Sequence, residues 1–211
     1  GESTFPVETG PDLPDNGNYD AFLAKISPVT RDDRLGAWEN SGVWYRNIET
    51  GAWVPMSNPA SLISAGDIDN DGTDDLAGVW STGLWVKYSK TQSWARLSGS
   101  LPTSISSGDM NGDGRDDVVG TWVSGVWYRN SVSGTWVLMS STSASIVAAG
   151  DLDGDNVDDL IGVWASGLWV KNSSSGNWTK LGTSLPTDIA SGDMNGDGRD
   201  DVVGSWASGV W

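Results

Sequence analysis

Residues 66–80 read Gly66-Asp67-Ile68-Asp69-Asn70-Asp71-Gly72-Thr73-Asp74-Asp75-Leu76-Ala77-Gly78-Val79-Trp80, an acidic loop running straight into an apolar segment. Forty-two residues on, from Gly108, stands Gly-Asp-Met-Asn-Gly-Asp-Gly-Arg-Asp-Asp, and close copies follow at the same period from Gly150 and Gly192. The 14 tryptophans keep that period in three columns. They are Trp38, Trp80, Trp122, Trp164 and Trp206; Trp44, Trp85, Trp127, Trp169 and Trp211; and Trp53, Trp94, Trp136 and Trp178. A tandem repeat of this length is one supersecondary unit copied along the chain.

Within one unit the pattern predicts four short strands, at 118–122, 126–130, 135–139 and 145–149, separated by Ser/Gly turns and the acidic loop. Apolar residues come in β-branched and aromatic runs, never at helical spacing over three turns. Four strands in a repeat of about 40–45 residues is the arithmetic of a β-propeller blade, whereas stacked solenoids use shorter repeats. The segment Leu76-Ala77-Gly78-Val79-Trp80 and its copies are apolar on both faces, as a strand sandwiched between neighbouring blades requires. The expected fold is an all-β propeller forming a single domain over residues 1–211. Residues 1–28 are its closing segment, 29–65 a degenerate blade, 66–107, 108–149 and 150–191 full repeats, and 192–211 a partial one.

Five repeats of 42 nearly account for the 211 residues. Residues 1–24 have about the length that the last unit lacks after Trp211, so the expected ring has five blades closed by pairing of the N- and C-terminal strands. Phe5 and Phe22 then lie against the strands of Trp206 and Trp211. Units alternate between Gly-Val-Trp-Tyr-Arg and Gly-Leu-Trp-Val-Lys types, which leaves a longer, even-numbered array as the alternative.

The acidic loop places Asp67, Asp69, Asp71 and Asp75 at positions 1, 3, 5 and 9, and the carbonyl of Thr73 at position 7 can complete an all-oxygen shell. The copies offer Asp109, Asn111, Asp113, Asp117 and the Arg115 carbonyl; Asp151, Asp153, Asp155, Asp159 and the Val157 carbonyl; and Asp193, Asn195, Asp197, Asp201 and the Arg199 carbonyl. Oxygen ligands without nitrogen or sulfur, and so many carboxylates, select Ca²⁺ over Mg²⁺ or a transition metal. Gly72 permits the sharp turn around the ion, and Asn156, which replaces glycine in the third loop, tolerates positive φ. An EF-hand needs a bidentate glutamate at position 12; here that position is Gly78, Gly120, Gly162 or Gly204. Solvated turns also favour Asp, Asn and Gly, but four copies in register, each with four ligand-type side chains, argue for ions. In the first unit Lys25, Ser27 and Val29 stand at the ligand positions, so about four Ca²⁺ ions are expected and none there.

Of the 28 acidic residues, 18 lie in the four loops, and four Ca²⁺ ions would take the formal charge from −16 to −8. The ion is therefore expected to be a folding component. So negative a chain repels phosphate backbones and anionic surfaces, which excludes nucleic acid as a partner. There is no histidine or cysteine, so the usual acid–base and thiolate chemistry is missing and the carboxylates are already taken up as ligands. No run of about 18 apolar residues offers a membrane span.

The motif Gly-Asp-[Leu/Met/Ile]-[Asp/Asn]-x-Asp-Gly-x-x-Asp-Asp resembles the FG-GAP/VCBS repeat family, over residues 66–211 and, in weaker form, 29–65. That family includes the calcium-bearing blades of integrin α-subunit propellers and a fungal lectin propeller. The stretches Thr4-Phe5-Pro6-Val7 and Tyr19–Lys25 resemble the bacterial SBBP propeller repeat. The resemblance implies a non-catalytic, extracellular or cell-surface module that binds glycan or protein in an adhesive role. A purely architectural spacer of a larger secreted protein is the alternative. The third tryptophan column follows a Ser/Gly turn and offers either rings for sugar stacking or filling between blades. The first two columns are expected in the core. Arg46, Lys87, Arg129 and Lys171, two positions after the second column, either contact ligand or protect a strand edge.

Overall fold

The computed structural model describes residues 33–38 and 40–211, together with the backbone of the strand Ala21–Leu23. Two compact units are formed, Gly1–Pro59 and Ala60–Trp211. The first unit is one antiparallel sheet of β1 (Ala21–Leu23), β2 (Arg34–Trp38), β3 (Gly42–Arg46) and β4 (Trp53–Ser57), in that spatial order.

The second unit repeats this meander three times in full and once with three strands. Its sheets are β5 (Leu62–Gly66), β6 (Asp75–Trp80), β7 (Gly83–Lys87) and β8 (Trp94–Ser98); then β9 (Ser104–Gly108), β10 (Asp117–Trp122), β11 (Gly125–Arg129) and β12 (Trp136–Ser140). The next holds β13 (Ile146–Gly150), β14 (Asp159–Trp164), β15 (Gly167–Lys171) and β16 (Trp178–Gly182), and the last β17 (Asp188–Gly192), β18 (Asp201–Trp206) and β19 (Gly209–Val210). No helix occurs among the described residues.

These are the blades that the 42-residue period calls for, with one shift of boundary. The strand expected at 145–149 as the fourth of its unit is β13, the first strand of the next blade, where it pairs with β14. Each blade therefore begins before its acidic loop, and the loop joins the first two strands of one sheet rather than linking two sheets. A second correction concerns closure. The strand Ala21–Leu23 does not pair with the sheet of Trp206 and Trp211; it is the first strand of its own blade, with Phe22 opposite Gly36. The last sheet has three strands. Phe5 and the ligand positions Lys25, Ser27 and Val29 lie outside the described residues.

In the second unit the first strands of successive blades, β5, β9, β13 and β17, stand side by side. Small residues allow this approach: Ser107 Oγ donates to Ser64 Oγ at 2.9 Å, and Ser104 Oγ accepts from the Val147 amide at 3.1 Å. The second strands β6, β10 and β14 are buried on both faces, as the double-sided apolar pattern requires, while β18 in the last sheet is mostly half-buried; Leu76, Ala77 and Val79 lose nearly all their exposure. The core lies between blades. Met110, Val119 and Val126 of one blade pack with Val147 and Leu160 of the next, and Ile161, Val163 and Val170 with Ile189. Ile68 and Met110, at position 2 of their loops, are buried in these layers and anchor the loops to the core.

Position 12 is glycine for a positive reason. Each of these glycines lies under the tryptophan two residues ahead, and a Cβ on Gly120 would stand 2.5 Å from Trp122 Cη2. The same tryptophans meet the third column edge-on, with Trp80–Trp94, Trp122–Trp136 and Trp164–Trp178 centroids all 5.2 Å apart. Trp80, Trp122, Trp164, Trp85, Trp127 and Trp169 are only partly buried, so most of the first two columns cap the blades instead of filling the core. Lys87, Arg129 and Lys171 lie over Trp94, Trp136 and Trp178 at 5.8–5.9 Å, which makes the recurrent basic residue a cation–π partner of the adjacent strand.

Candidate metal loops and inter-blade groove

Each acidic loop winds around its first aspartate. Asp109 accepts from the amides of Gly112, Asp113 and Gly114 at 2.7–3.1 Å, Asp151 from Gly154, Asp155 and Asn156, and Asp193 from Gly196, Asp197 and Gly198. Asp67 does the same for Asp71 and Gly72. Such winding needs left-handed backbone at positions 4 and 6. Asn70 (φ 59°), Gly72, Gly112, Gly114, Gly154, Asn156 (φ 63°), Gly196 and Gly198 supply it. The expectation for Gly72 and Asn156 holds; position 4, filled by Asn70 in the first of these loops, carries the same demand although the ligand spacing does not point to it.

Position 5 turns back on position 7: Asp71, Asp113, Asp155 and Asp197 accept the amides of Thr73, Arg115, Val157 and Arg199. Position 9 is the buried member. Asp75, Asp117 and Asp159 are 0–2% exposed, and each accepts one amide from the turn after the third strand, Ser89, Ser131 and Ser173 at 2.8–3.0 Å. Loss of hydration raises their carboxyls from the ordinary 3.8 to about 6, about 7 and about 6, against the pull of those amides; neighbouring loop carboxylates add to the rise. Asp193, half-buried and bonded first to the Gly198 amide, shifts downward instead. In the first blade Asp33 accepts the Ile48 amide at 2.8 Å, so the position-9 anchor survives there.

The donor sets fit a hard cation. The carboxylates of Asp67, Asp69 and Asp71 bring oxygens within 4.8 Å of one another, as do Asp151, Asp153 and Asp155; oxygens ~2.4 Å from one calcium ion lie no more than about 5 Å apart. In the loop of residues 67–75, Asp69 Oδ1 and Asp75 Oδ2 are buried and have no hydrogen-bond partner, which is costly unless a cation faces them. The other loops differ. Asn111 Nδ2 donates to Asp117 Oδ2 at 2.7 Å, and Asn195 Nδ2 to Asp201 at 3.2 Å. Asn172 Nδ2 donates to Asp153 Oδ2 at 2.7 Å and to Asp159 Oδ1 at 3.2 Å. Asn172 lies beyond the loop motif, and no spacing rule points to it.

A second concavity, of about 640 Å³, lies between the blades β9–β12 and β13–β16. Met139, the run from Ser140 to Ser143, Ser166 and the rings of Trp164, Trp169 and Trp178 line it. Trp164 Nε1 donates to Thr142 O across it at 3.1 Å, and Lys171 Nζ to Met139 O at 2.9 Å, so the two blades are tied at its walls. Trp178 keeps 41% of its surface exposed.

No protein-family model matches this chain, and no curated protein does. Solved structures do. A lectin from Agrocybe aegerita, described by its specific recognition of non-reducing terminal N-acetylglucosamine, superposes with a TM-score of 0.55 at 20% identity, covering 84% of this chain and 58% of that one. The fold is a β-propeller. The biofilm matrix protein Bap1 of V. cholerae is matched with a TM-score of 0.44 at 18% identity, over 81% of this chain and 30% of that one. This propeller thus spans little more than half the length of the first and under a third of the second.

Proposed function

We propose that this chain is a non-catalytic, extracellular propeller module, stabilised by calcium in its four acidic loops, that holds carbohydrate in the groove between the third and fourth blades. The groove carries the reading. Exposed indole beside hydroxyls from Ser140, Ser141, Thr142, Ser143 and Ser166 is the surface a sugar ring needs, with an apolar face for its C–H groups and donors and acceptors for its hydroxyls. The A. aegerita lectin supplies the first probe, a glycan ending in N-acetylglucosamine. Calcium would be held by the positions given above and would supply cross-links between loop carboxylates; it takes no part in chemistry. Shallow sites of this kind gain by multivalent display.

A glycan array probed in 1 mM calcium tests the assignment, followed by titration of Trp178→Ala and Trp169→Ala. Retained glycan with at least ten-fold weaker binding by both variants supports it. No glycan retained, with calcium stabilisation intact, favours the architectural spacer. Binding that survives both substitutions moves the site elsewhere.

A further inference from the structure

The aspartates at position 8 of the second, third and fourth loops belong to no ligand set, yet each reaches the preceding loop. Asp116 Oδ2 accepts the Asp67 amide at 2.9 Å while the Asp116 amide donates to Asp67 O at 3.0 Å. Asp158 repeats both bonds on Asp109, each at 2.8 Å, and the Asp200 amide donates to Asp151 O at 2.7 Å. The approach is so close that a Cβ on Gly66, Gly108 or Gly150 would stand 2.3–2.5 Å from the carboxylate of Asp116, Asp158 or Asp200. The glycine that opens each of the first three loops admits this contact.

We infer that these three aspartates couple neighbouring loops, so that an ion entering one raises the affinity of the next. This rests on the calcium reading, which the unpartnered Oδ2 of Asp75, a residue 1% exposed, supports independently of the acidic cluster itself. Each strut joins the two parts of adjacent sites that must be ordered. At one end is the position-1 aspartate, whose carboxylate gathers the loop amides. At the other, one peptide bond away, is the position-9 aspartate, buried in the second and third loops, with Ser131 Oγ holding the Asp116 carbonyl at 2.6 Å in the second loop. An ion that fixes Asp117 fixes Asp116, and so fixes the backbone of Asp67 before the first loop is filled. The ordering cost of the second ion is then already met, which is positive cooperativity without any large movement.

Calcium titration of the full chain against a chromophoric chelator tests this. The expected isotherm has four ions and a Hill coefficient above 1. The variant Asp116→Ala/Asp158→Ala/Asp200→Ala, which removes the side-chain acceptors, should keep four ions and lose the steepness. As a check that leaves the struts intact, Asp113→Ala disables the second loop alone. The first and third loops, followed at the amides of Gly72 and Asn156, should then bind calcium about five-fold or more weakly, within the ordinary range of coupling. Four independent sites in the native chain, unchanged steepness in the triple variant, or unchanged neighbours in Asp113→Ala would each overturn the coupling while leaving the calcium reading in place. A chain that binds no calcium overturns both.

Discussion

Asp117→Asn should change the sign of its effect on stability with calcium. Asp117 is fully buried; Ser131 donates to one oxygen and Asn111 to the other. Its carboxyl is raised from 3.8 to about 7, so without an ion the folded chain resists ionising it. A rise of that size corresponds to about 4 kcal/mol as an upper bound. The exposed backbone of Asn111–Gly114 lets water screen the charge, so we take ~1–2 kcal/mol, or roughly 2–8 °C in Tm for a domain of this size. Asparagine keeps an acceptor for Ser131 and carries no charge. In chelator at pH 8 the variant should therefore melt above the native chain. At pH 5, where the native carboxyl is protonated, the gap should close. In calcium the order should reverse, because the variant loses a ligand and binds three ions instead of four. Thermal melts followed by far-UV circular dichroism at both pH values, with and without 1 mM calcium, read all of this. A variant that melts several degrees below the native chain in chelator at pH 8 would refute the reasoning, since the ionised carboxylate would then be stabilising the empty fold.

Calorimetric titration of the chelated protein should find about four calcium sites; one or none would remove the metal assignment. Chelation should lower Tm, since a site of about 0.1–1 mM affinity contributes about 0.4–1.4 kcal/mol at 1 mM ion and several such sites act together. The chelated native chain should gain stability on acidification from pH 8 to 5. The carboxyls of Asp75, Asp117 and Asp159 are raised in the fold, so their contribution is complete below the unfolded value and is lost as pH rises through about 6–7. With calcium bound the slope should invert; matching slopes in the two conditions would contradict the burial argument. Gly120→Ala places a methyl 2.5 Å from the Trp122 ring and should cost about 1–3 kcal/mol by overpacking, measured as a drop in denaturation midpoint.

Much of this protein was legible along the chain. The alternation of turn clusters with short apolar runs and the spacing Asp-x-Asp-x-Asp-Gly-x-x-Asp are local to each unit, and the 42-residue period copies them along the chain. Strand number, the all-β blades and the loops that gather oxygen therefore follow from residues near one another in sequence, where turn chemistry and period-2 patterning govern. Only the tertiary structure decided the rest. Asp116 meets Asp67, and Asp158 meets Asp109, at a separation of 49 residues, set by how one blade leans on the next. The same lean places the serine-rich turn at 140–143 against Trp164 and Trp169 to form the groove. Asn172 reaches Asp153 and Asp159 from the turn after the third strand of its blade. The first strand of each blade precedes its loop, and Ala21–Leu23 pairs inside its own sheet, because backbone pairing follows the nearest open edge and not the boundaries of the repeat. A repeat records what each unit must contain; which groups meet across two units depends on the angle and distance between blades, and no single unit carries that information.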